Sequence, residues 1–272
     1  MNARILLLLL GMAVSGSAQT LSSNIAWYRS IYGEPKAVVV SPCAITQRGP
    51  NSRIWQQVKA STDAVGQTNY FTNSYTELGT GICFWNSNSS QWVDSSDQIQ
   101  LADNGAAAAK TQHQVTFAAN INTARAIDLV TPEGKRLTSQ IMGLAYTDAD
   151  TGQNILFAET QDSVGQLLPS GNQVLYTNAF TNANCDVLYT HRLSTFEQDI
   201  VIREQLPSPT SYGLNGSNIW LQICTEFTTA PVPQITSLPN GDSSLDFGIM
   251  KMGKGTAFLF GGPSNSAPVI KE

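Results

Sequence analysis

Charged side chains are scarce in this chain, in which Asp, Glu, Lys and Arg together make up 13% of 272 residues. The formal net charge at pH 7 is −5, so there is no excess of positive charge to bind nucleic acid or an anionic membrane surface. Asn, Gln, Ser, Thr and Gly replace the missing charges, as is common in extracellular β proteins. Aromatic residues recur along nearly the whole chain, which excludes a disordered polypeptide.

Helical periodicity is nearly absent, and no apolar run is long enough to span a bilayer. The N-terminal run Ile5–Leu10 with its continuation is well short of the ~20 residues that a transmembrane helix needs. Arg4 precedes this run, and Gly16 and Ala18 stand where a signal peptidase reads small residues. The pattern predicts a signal peptide, residues 1–18, that is cleaved near Ala18. The mature protein is then secreted, periplasmic or at the cell surface, and does not span the membrane.

Histidine is rare, since the chain has only His113 and His191. Each lies in or beside a predicted strand, and neither belongs to a cluster with zinc-ligand spacing. No G-x-S-x-G nucleophile elbow is present. We therefore expect two ordinary strand histidines, no catalytic residues, and a protein that is not an enzyme and needs no cofactor.

The chain has four cysteines, at irregular and wide spacing: Cys43, Cys83, Cys185 and Cys224. An oxidising compartment permits up to two disulfides among them, and four cysteines allow three pairings. Three of the four lie inside apolar runs, where a cysteine also acts as a small buried apolar residue. Both interpretations stay open.

Short β-branched and aromatic runs, separated by Gly and Pro turns, are the main positive feature of the sequence. They predict an all-β fold, an antiparallel β-sandwich or extended super-sandwich with an irregular N-terminal arm. The predicted arm covers residues 19–69, the sandwich 70–260, and an extended tail 261–272, which we expect to be truncated from a longer chain. The predicted strands are Ala37–Val40, Tyr75–Trp85, Gln91–Asp94, Gln114–Ala118, Ala126–Val130, Arg136–Ser139, Met142–Asp148, Asn154–Thr160, Gln173–Thr177, Asp186–Leu193, Phe196–Arg203, Trp220–Phe227 and Gly255–Phe260.

Two further segments are predicted to be loops. Leu206–Ser217 is too rich in Pro and Gly for regular structure, and a loop of this length is often functional or a packed lid. Ala106–Ala109 is a small low-complexity patch.

Two carboxylates on the predicted strand Phe196–Arg203 form the only candidate catalytic pair. Glu197 and Asp199 share one face and lie roughly 7 Å apart by strand rise. Glycoside hydrolases use carboxylate pairs about 5–9.5 Å apart. Because Arg203 shares this face, a surface charge ladder is the favoured interpretation, and a glycoside-active enzyme is the least favoured function.

Two pairs of residues are candidate ligand sites. Asp148 and Asp150 have the alternating oxygen spacing of a calcium loop but lack its downstream acidic ligand. A polar turn is therefore favoured over a structural calcium site. Trp85 and Trp92 flank a turn and can stack on sugar rings, although a sandwich also buries tryptophan in its core.

Several phrases of the sequence resemble the N-terminal β regions of large secreted bacterial repeat proteins, RHS/YD-repeat proteins and lectin-module proteins among them. The resemblance runs from about Tyr75 to Phe260 and implies paired strands of an extended sandwich, with no catalytic residues. It is carried by Thr131–Lys135, Asp162–Gln166, Asn172–Phe180, Asp186–Tyr189 and Phe196–Glu204.

The leading hypothesis is thus a secreted, non-catalytic β-sandwich module that acts as a scaffold or interaction domain at the bacterial cell surface. Its partners are then other modules of a larger surface protein. A carbohydrate-binding module whose partner is a polysaccharide is the alternative, and nucleic acid is excluded by the charge.

Overall fold

The computed structural model describes residues 37–63, 66–239, 242–253 and 255–258, together with the backbone of 266–269. The fold is all-β with several antiparallel sheets, as predicted. In these residues the one helical element is a single turn of 3-10 helix, Pro209–Tyr212. None of their helical structure is long and apolar enough to cross a bilayer. The predicted signal peptide, residues 1–18, lies outside the described residues.

The chain divides into two compact units, of which the first contains residues up to 47 and 54–76. Its sheet is built around one long strand, β3, which pairs with the other three strands. Every described side chain of this unit is at least partly exposed. The four strands are β1 (Val38–Val39), β2 (Ala44–Gly49), β3 (Ser52–Thr62) and β4 (Thr68–Leu78). Residues 48–49 of β2, 52–53 of β3 and 77–78 of β4 are assigned to the second unit.

These strands correct the extent of the predicted irregular arm. Residues 19–36 lie outside the described residues, but 44–49 and 52–62 form regular strands. Their sequences gave little signal because polar side chains occupy both faces, so apolar and polar positions do not alternate. The predicted strand Tyr75–Trp85 is also interrupted, since β4 ends at Leu78.

The second unit contains residues 48–53 and those from 77 onwards. Its strands are β5 (Cys83–Asn86), β6 (Gln91–Asp94), β7 (Gln100–Ala102), β8 (Gly105–Ala108), β9 (Gln114–Ala118), β10 (Ile127–Val130), β11 (Arg136–Asp148), β12 (Asn154–Glu159), β13 (Gly165–Leu167), β14 (Gln173–Tyr176), β15 (Cys185–His191), β16 (Phe196–Ile202), β17 (Ile219–Thr229), β18 (Gln234–Ser237), β19 (Ser243–Asp246), β20 (Lys251–Met252), β21 (Gly255–Phe258) and β22 (Ser266–Val269).

Two sheets of this unit form the sandwich. The seven-stranded sheet has the order β12-β11-β10-β9-β8-β7, and β17 also pairs with β11. The four-stranded sheet has the order β13-β14-β15-β16. Phe117 of β9 lies with its ring centroid 6.0 Å from those of Tyr189 and Phe196, which belong to the four-stranded sheet. The Tyr176 hydroxyl donates to the Ala118 carbonyl oxygen at 2.6 Å. The two sheets therefore pack face to face around one apolar core.

Alternation predicts the strands of this sandwich well. Gln91–Asp94 and Gln114–Ala118 are confirmed with their bounds, and the predicted hairpin around Ser194-Thr195 is confirmed by pairing of His191 with Phe196. The predicted strands Arg136–Ser139 and Met142–Asp148 are one strand, because Gln140 and Ile141 between them continue to pair with β17.

The alanine patch corrects a second prediction. Gly105–Ala108 is strand β8, with Ala106 and Ala108 buried, and not part of a loop. Small side chains are needed there because the strand lies against the apolar core. The predicted loop Leu206–Ser217 is mostly irregular and packs on the core through Leu214, which is 2% exposed. Of the predicted tail 261–272, only the backbone of Ser266–Val269 is described, and it pairs with β21.

Candidate functional site

The two tryptophans that are candidates for stacking on sugar rings are brought together by the β5–β6 hairpin. Trp85 and Trp92 stand opposite each other in the strand register. Their rings meet edge to face with centroids 5.6 Å apart. Trp85 is 52% exposed. The pair is therefore a small aromatic platform at the surface of the second unit.

A cluster of charged side chains surrounds Asp94, the last residue of this hairpin. The Asp94 carboxylate accepts from the Nε atoms of Arg48 and Arg53, each at 2.9 Å. These bonds, that from Arg48 foremost, lower the pKa of Asp94. Arg53 also donates to Glu77 and to the Ile82 carbonyl oxygen. This network fixes the base of the hairpin and leaves its tryptophans at the surface.

The two candidate calcium ligands, Asp148 and Asp150, lie in a turn, the interpretation that the sequence favours. Asp148 is buried, and its Oδ1 accepts from the backbone N–H groups of Asp150 and Thr151 at 2.9 and 3.3 Å. Asp150 Oδ1 accepts from the Asn218 side-chain amide. Among the described residues, no group of three or more His, Cys, Asp or Glu side chains is placed to hold a metal ion. The contacts of Asp148 are those of a side chain that caps a turn.

All four cysteines are free thiols in the structure. Cys83 and Cys185 are buried, and burial raises the pKa of both thiols, that of Cys185 to about 11. Cys224 is partly buried in β17, which also raises its pKa. Cys43 is exposed, with its Sγ 3.7 Å from the Tyr75 hydroxyl. At neutral pH the three thiols of raised pKa are protonated and poorly nucleophilic.

The two histidines, 78 positions apart in the chain, lie side by side with ring centroids 4.8 Å apart. His191 Nδ1 lies 3.2 Å from the Asp97 carbonyl oxygen, and its Nε2 lies 3.1 Å from Thr111 Oγ1. Burial, followed by the neighbouring His191, lowers the pKa of His113 to about 4. Burial also lowers the pKa of His191. Both rings are therefore neutral at pH 7.

A cleft of about 360 Å³ borders His113 but not His191. Its lining includes His113, whose Nε2 is buried without a hydrogen-bond partner, and the polar side chains of Gln112, Glu197 and Lys251. Asp199 is not among the residues that line it. The structure therefore does not bring the proposed glycosidase pair together in the cleft.

The predicted charge ladder on β16 has different partners from those expected. Arg203 donates to the buried Asp186 carboxylate at 2.7 Å, and not to Glu197 or Asp199. Glu197 instead lies 3.8 Å from Arg192, which follows β15. Burial and then the Glu197 charge raise the pKa of Asp199. Glu197 of β16 and Arg203 just after it thus pair with residues in or directly after β15, and not with each other.

The most unusual surface is the outer side of β17. This strand pairs with β11 over its whole length, from Ile219 opposite Asp148 to Thr229 opposite Thr138. Among the described residues it has no other strand partner. A strand that is paired on one side only is an edge strand, and the outward backbone groups of an edge strand can pair with another strand.

Three apolar side chains of β17 lie on the face of the sheet that is turned toward the core. Leu221 and Ile223 are each 40% exposed and Phe227 is 41% exposed. Leu221 and Ile223 stand opposite the buried Tyr146 and Leu144 of β11, so the stripe continues the core to the rim of the sheet. We call β17 with this stripe the open edge.

The four-stranded sheet ends on the same side. β16 is its last strand, and Gln198 of β16 donates to Thr225 of β17 at 3.5 Å. The sequence of residues 220–227 predicts a strand but does not show that it lies at the edge of a sheet. The available signal was composition, since Ile219–Thr229 has one charged residue, Glu226, and no Pro or Lys, the residues with which proteins usually protect an edge.

Comparison with models of protein families, with curated proteins and with solved structures finds no match for this chain. The resemblance to RHS/YD-repeat and lectin-module proteins therefore stays a prediction, and the site is interpreted from its own geometry.

Proposed function

We propose that the chain is a secreted, non-catalytic β-sandwich module that acts as an interaction domain at the bacterial cell surface by accepting a strand from another polypeptide. The open edge carries this proposal. Export is supported by residues 1–18 of the sequence, and a scaffold role by the face-to-face packing of the two sheets.

An edge strand lacks a neighbouring strand on one side of its backbone. A long, apolar, unprotected edge is a template for strand pairing, and soluble proteins normally avoid it. An added strand would pair with outward backbone groups of β17 and cover Leu221, Ile223 and Phe227. Burying apolar side chains in this way contributes about 25 cal/mol for each Å² removed from water. Main-chain bonds would then supply affinity, and the apolar stripe would supply specificity.

A labelled peptide with the sequence of residues 219–229, with Ser at position 224 and terminal lysines for solubility, tests whether the edge accepts a strand. We expect a rise in fluorescence anisotropy when the peptide meets the mature protein. Ile223→Lys, which places a charge in the apolar stripe, should weaken binding by at least about tenfold.

The matched control is Ile235→Lys, because Ile235 is a strand isoleucine of β18 that is 64% exposed and lies outside the open edge. This variant should bind the peptide like the wild type. Absence of binding to the wild type, or equal binding by the Ile223→Lys variant, would contradict the proposed function.

A second candidate function, polysaccharide binding, is favoured by the exposed edge-to-face pair Trp85 and Trp92. Aromatic faces at a surface stack on sugar rings. In a panel of affinity gels that each hold a different polysaccharide, we expect the wild type to be retarded in at least one gel. Trp85→Ala should lose this retardation. Trp220→Ala is the control, since Trp220 is also exposed but lies in β17. Equal migration of wild type and Trp85→Ala in every gel would exclude this candidate.

A further inference from the structure

We propose that the cleft that borders His113 is a binding site for one neutral sugar ring. The cleft shares no lining residue with the open edge or with the tryptophan pair, and the proposed function gives it no role. Three observations support a ligand there: a buried nitrogen without a partner, a balance of charge, and a lining that is partly polar and partly apolar.

Connections between strands of the second unit form the walls of the cleft. They are represented by Thr80 before β5, Gln112 before β9, Pro132 after β10, Ser194 before β16 and Ile249 before β20. The volume of about 360 Å³ lies near the lower end of the range of about 300–1,000 Å³ that is usual for small-molecule sites. The cleft therefore suits a small ligand with a single ring.

His113 carries a polar group that lacks a partner within the protein. The residue is 2% exposed, and its Nε2 has no hydrogen-bond partner among the described residues. Buried polar side-chain atoms of folded proteins are in most cases hydrogen-bonded, so an exception calls for an explanation. Because His113 lines the cleft, a ligand held there can supply the missing partner.

A hydroxyl group is the partner that suits this nitrogen. Burial, followed by the neighbouring His191, lowers the pKa of His113 to about 4, so the ring is neutral at pH 7. One nitrogen of a neutral imidazole donates and the other accepts, and a hydroxyl group can do both. Thr80, Ser194 and Thr195 are exposed on the lining of the cleft, where their own hydroxyl groups can bond further hydroxyl groups of the same ligand.

The charges at the cleft favour a neutral ligand. Glu197 and Lys251 line the cleft and have opposite signs. Each already lies beside an opposite charge, Glu197 at 3.8 Å from Arg192 and Lys251 at 2.9 Å from Asp246. A charged ligand would find no excess of opposite charge there, and removing its charge from water would be unfavourable.

The remaining lining is apolar and fits the other surface of a sugar. Leu193, Phe196 and Met250 line the cleft and are partly buried. The Phe196 ring is held in place by stacking on Tyr189, with centroids 5.6 Å apart. A sugar ring has C–H groups on its faces and hydroxyl groups on its rim, so it can contact both kinds of lining at once. Small-molecule sites commonly combine an apolar lining with a few polar groups.

The histidines can report binding directly, because the chain has only two of them. Each gives one imidazole C2–H signal in the NMR spectrum of the mature protein without a histidine tag, and the signal that is lost in His113→Phe belongs to His113. The probes are glucose, galactose, mannose and N-acetylglucosamine, with glucuronic acid and glucosamine as charged controls. We expect at least one neutral sugar to shift the His113 signal until it saturates, and both charged sugars to bind at least about tenfold more weakly. No saturable shift with any neutral sugar would overturn the inference.

Two exposed isoleucines provide matched variants. Ile249 is 65% exposed and lines the cleft, whereas Ile235 is 64% exposed and does not line it. Ile249→Ala should weaken sugar binding by at least about threefold, and Ile235→Ala should bind like the wild type. Thr195→Val, which removes one hydroxyl group of the lining and keeps the shape of the side chain, should also weaken binding by at least about threefold. Wild-type affinity in both Ile249→Ala and Thr195→Val would show that the sugar binds elsewhere.

A free sugar and the terminal sugar of a glycan present the same ring. A linear oligosaccharide of the sugar that binds distinguishes the two sources, since only a site for chain ends accepts it, and either outcome supports the inference. Trp85→Ala should leave the shift of the His113 signal unchanged. Loss of that shift in Trp85→Ala would place the sugar at the tryptophan pair and overturn the inference. Binding of the peptide at the open edge is measured separately, so the proposed function and this inference can fail independently.

Discussion

Histidine is the side chain whose charge changes nearest to neutral pH, and both histidines of this chain are buried against each other. The pKa of His113 is lowered to about 4, so the folded protein holds this ring neutral. In the unfolded chain the ring takes up a proton below its ordinary pKa of about 6.5. The unfolded state then binds more protons than the folded one, and stability falls as the pH falls.

We therefore expect protonation of His113 in the unfolded chain to decrease the free energy of unfolding as the pH falls from about 6.5 to about 4. Below about pH 4 the contribution of His113 should no longer change. At pH 5 the loss from His113 alone should be about 2 kcal/mol. Denaturant unfolding at pH 7.5 and pH 5 measures it. His113→Phe keeps a ring of similar size without the titration, so it should remove the part of this difference that is due to His113, while the lowered pKa of His191 keeps a remaining pH dependence. An equal pH dependence in the variant would show that other groups cause it.

The sequence identified some site residues but not the way they meet. Trp85 and Trp92 could be predicted as a pair because a short turn between two strands places them opposite each other. The contact of His113 with His191 could not, since it depends on how two sheets pack. The spacing of Asp148 and Asp150 indicated oxygen ligands, but it could not show that backbone N–H groups already occupy the carboxylate.

Among the elements, the segment between β16 and β17 is a loop that is held against the apolar core. Tyr146 donates to the Pro207 carbonyl oxygen at 2.8 Å, and its ring stacks on that of Phe157 with centroids 4.3 Å apart. The Tyr212 ring lies 5.7 Å from Phe157, and Leu214 is 2% exposed. The loop thus closes one end of the core through apolar contacts.

Leu214→Ala should therefore destabilise the protein by about 2–4 kcal/mol, since it removes a fully buried side chain and leaves a cavity. Val232→Ala is the matched control, because Val232 is also a loop residue but is 95% exposed, and it should change stability by less than about 0.5 kcal/mol. Both values come from denaturant unfolding. A small effect of Leu214→Ala would mean that the loop collapses into the space or contributes little to the core.

Strands with one solvent-exposed face could be predicted from the alternation of apolar and polar residues. Strands in which all residues are of one type could not. β9 has buried Val115 and Phe117 between exposed neighbours, so alternation reveals it. β8 is nearly all alanine, and its start depends on Gly105 with φ of 144°. A Cβ at Gly105 would lie 1.9 Å from the Phe117 carbonyl oxygen, a tertiary constraint that the sequence does not display.

At the scale of the whole molecule, the two units differ in how they are stabilised. The second unit has a core that includes fully buried Tyr176 and Tyr189. The first unit holds its sheet by strand pairing and by partly exposed contacts, such as the Trp55 ring stacked on Tyr75 at 6.0 Å. A sheet without a well-covered apolar face is only marginally stable in water. The all-β class was predictable from composition and turns, but this difference depends on which faces are covered.

The first unit should consequently open far more often than the second. Hydrogen exchange followed by mass spectrometry compares peptides from β4, whose residues are almost all exposed, with peptides from β15, whose residues are almost all buried. We expect amides of residues 68–76 to exchange at least about a hundredfold faster than those of 185–191, because local opening there exposes little apolar surface. β9, which is paired on both sides and belongs to the core, serves as the internal control and should follow β15. Equal protection of β4 and β15 would mean that the first unit unfolds only together with the second, and that its sheet is stabilised by contacts beyond its own strands.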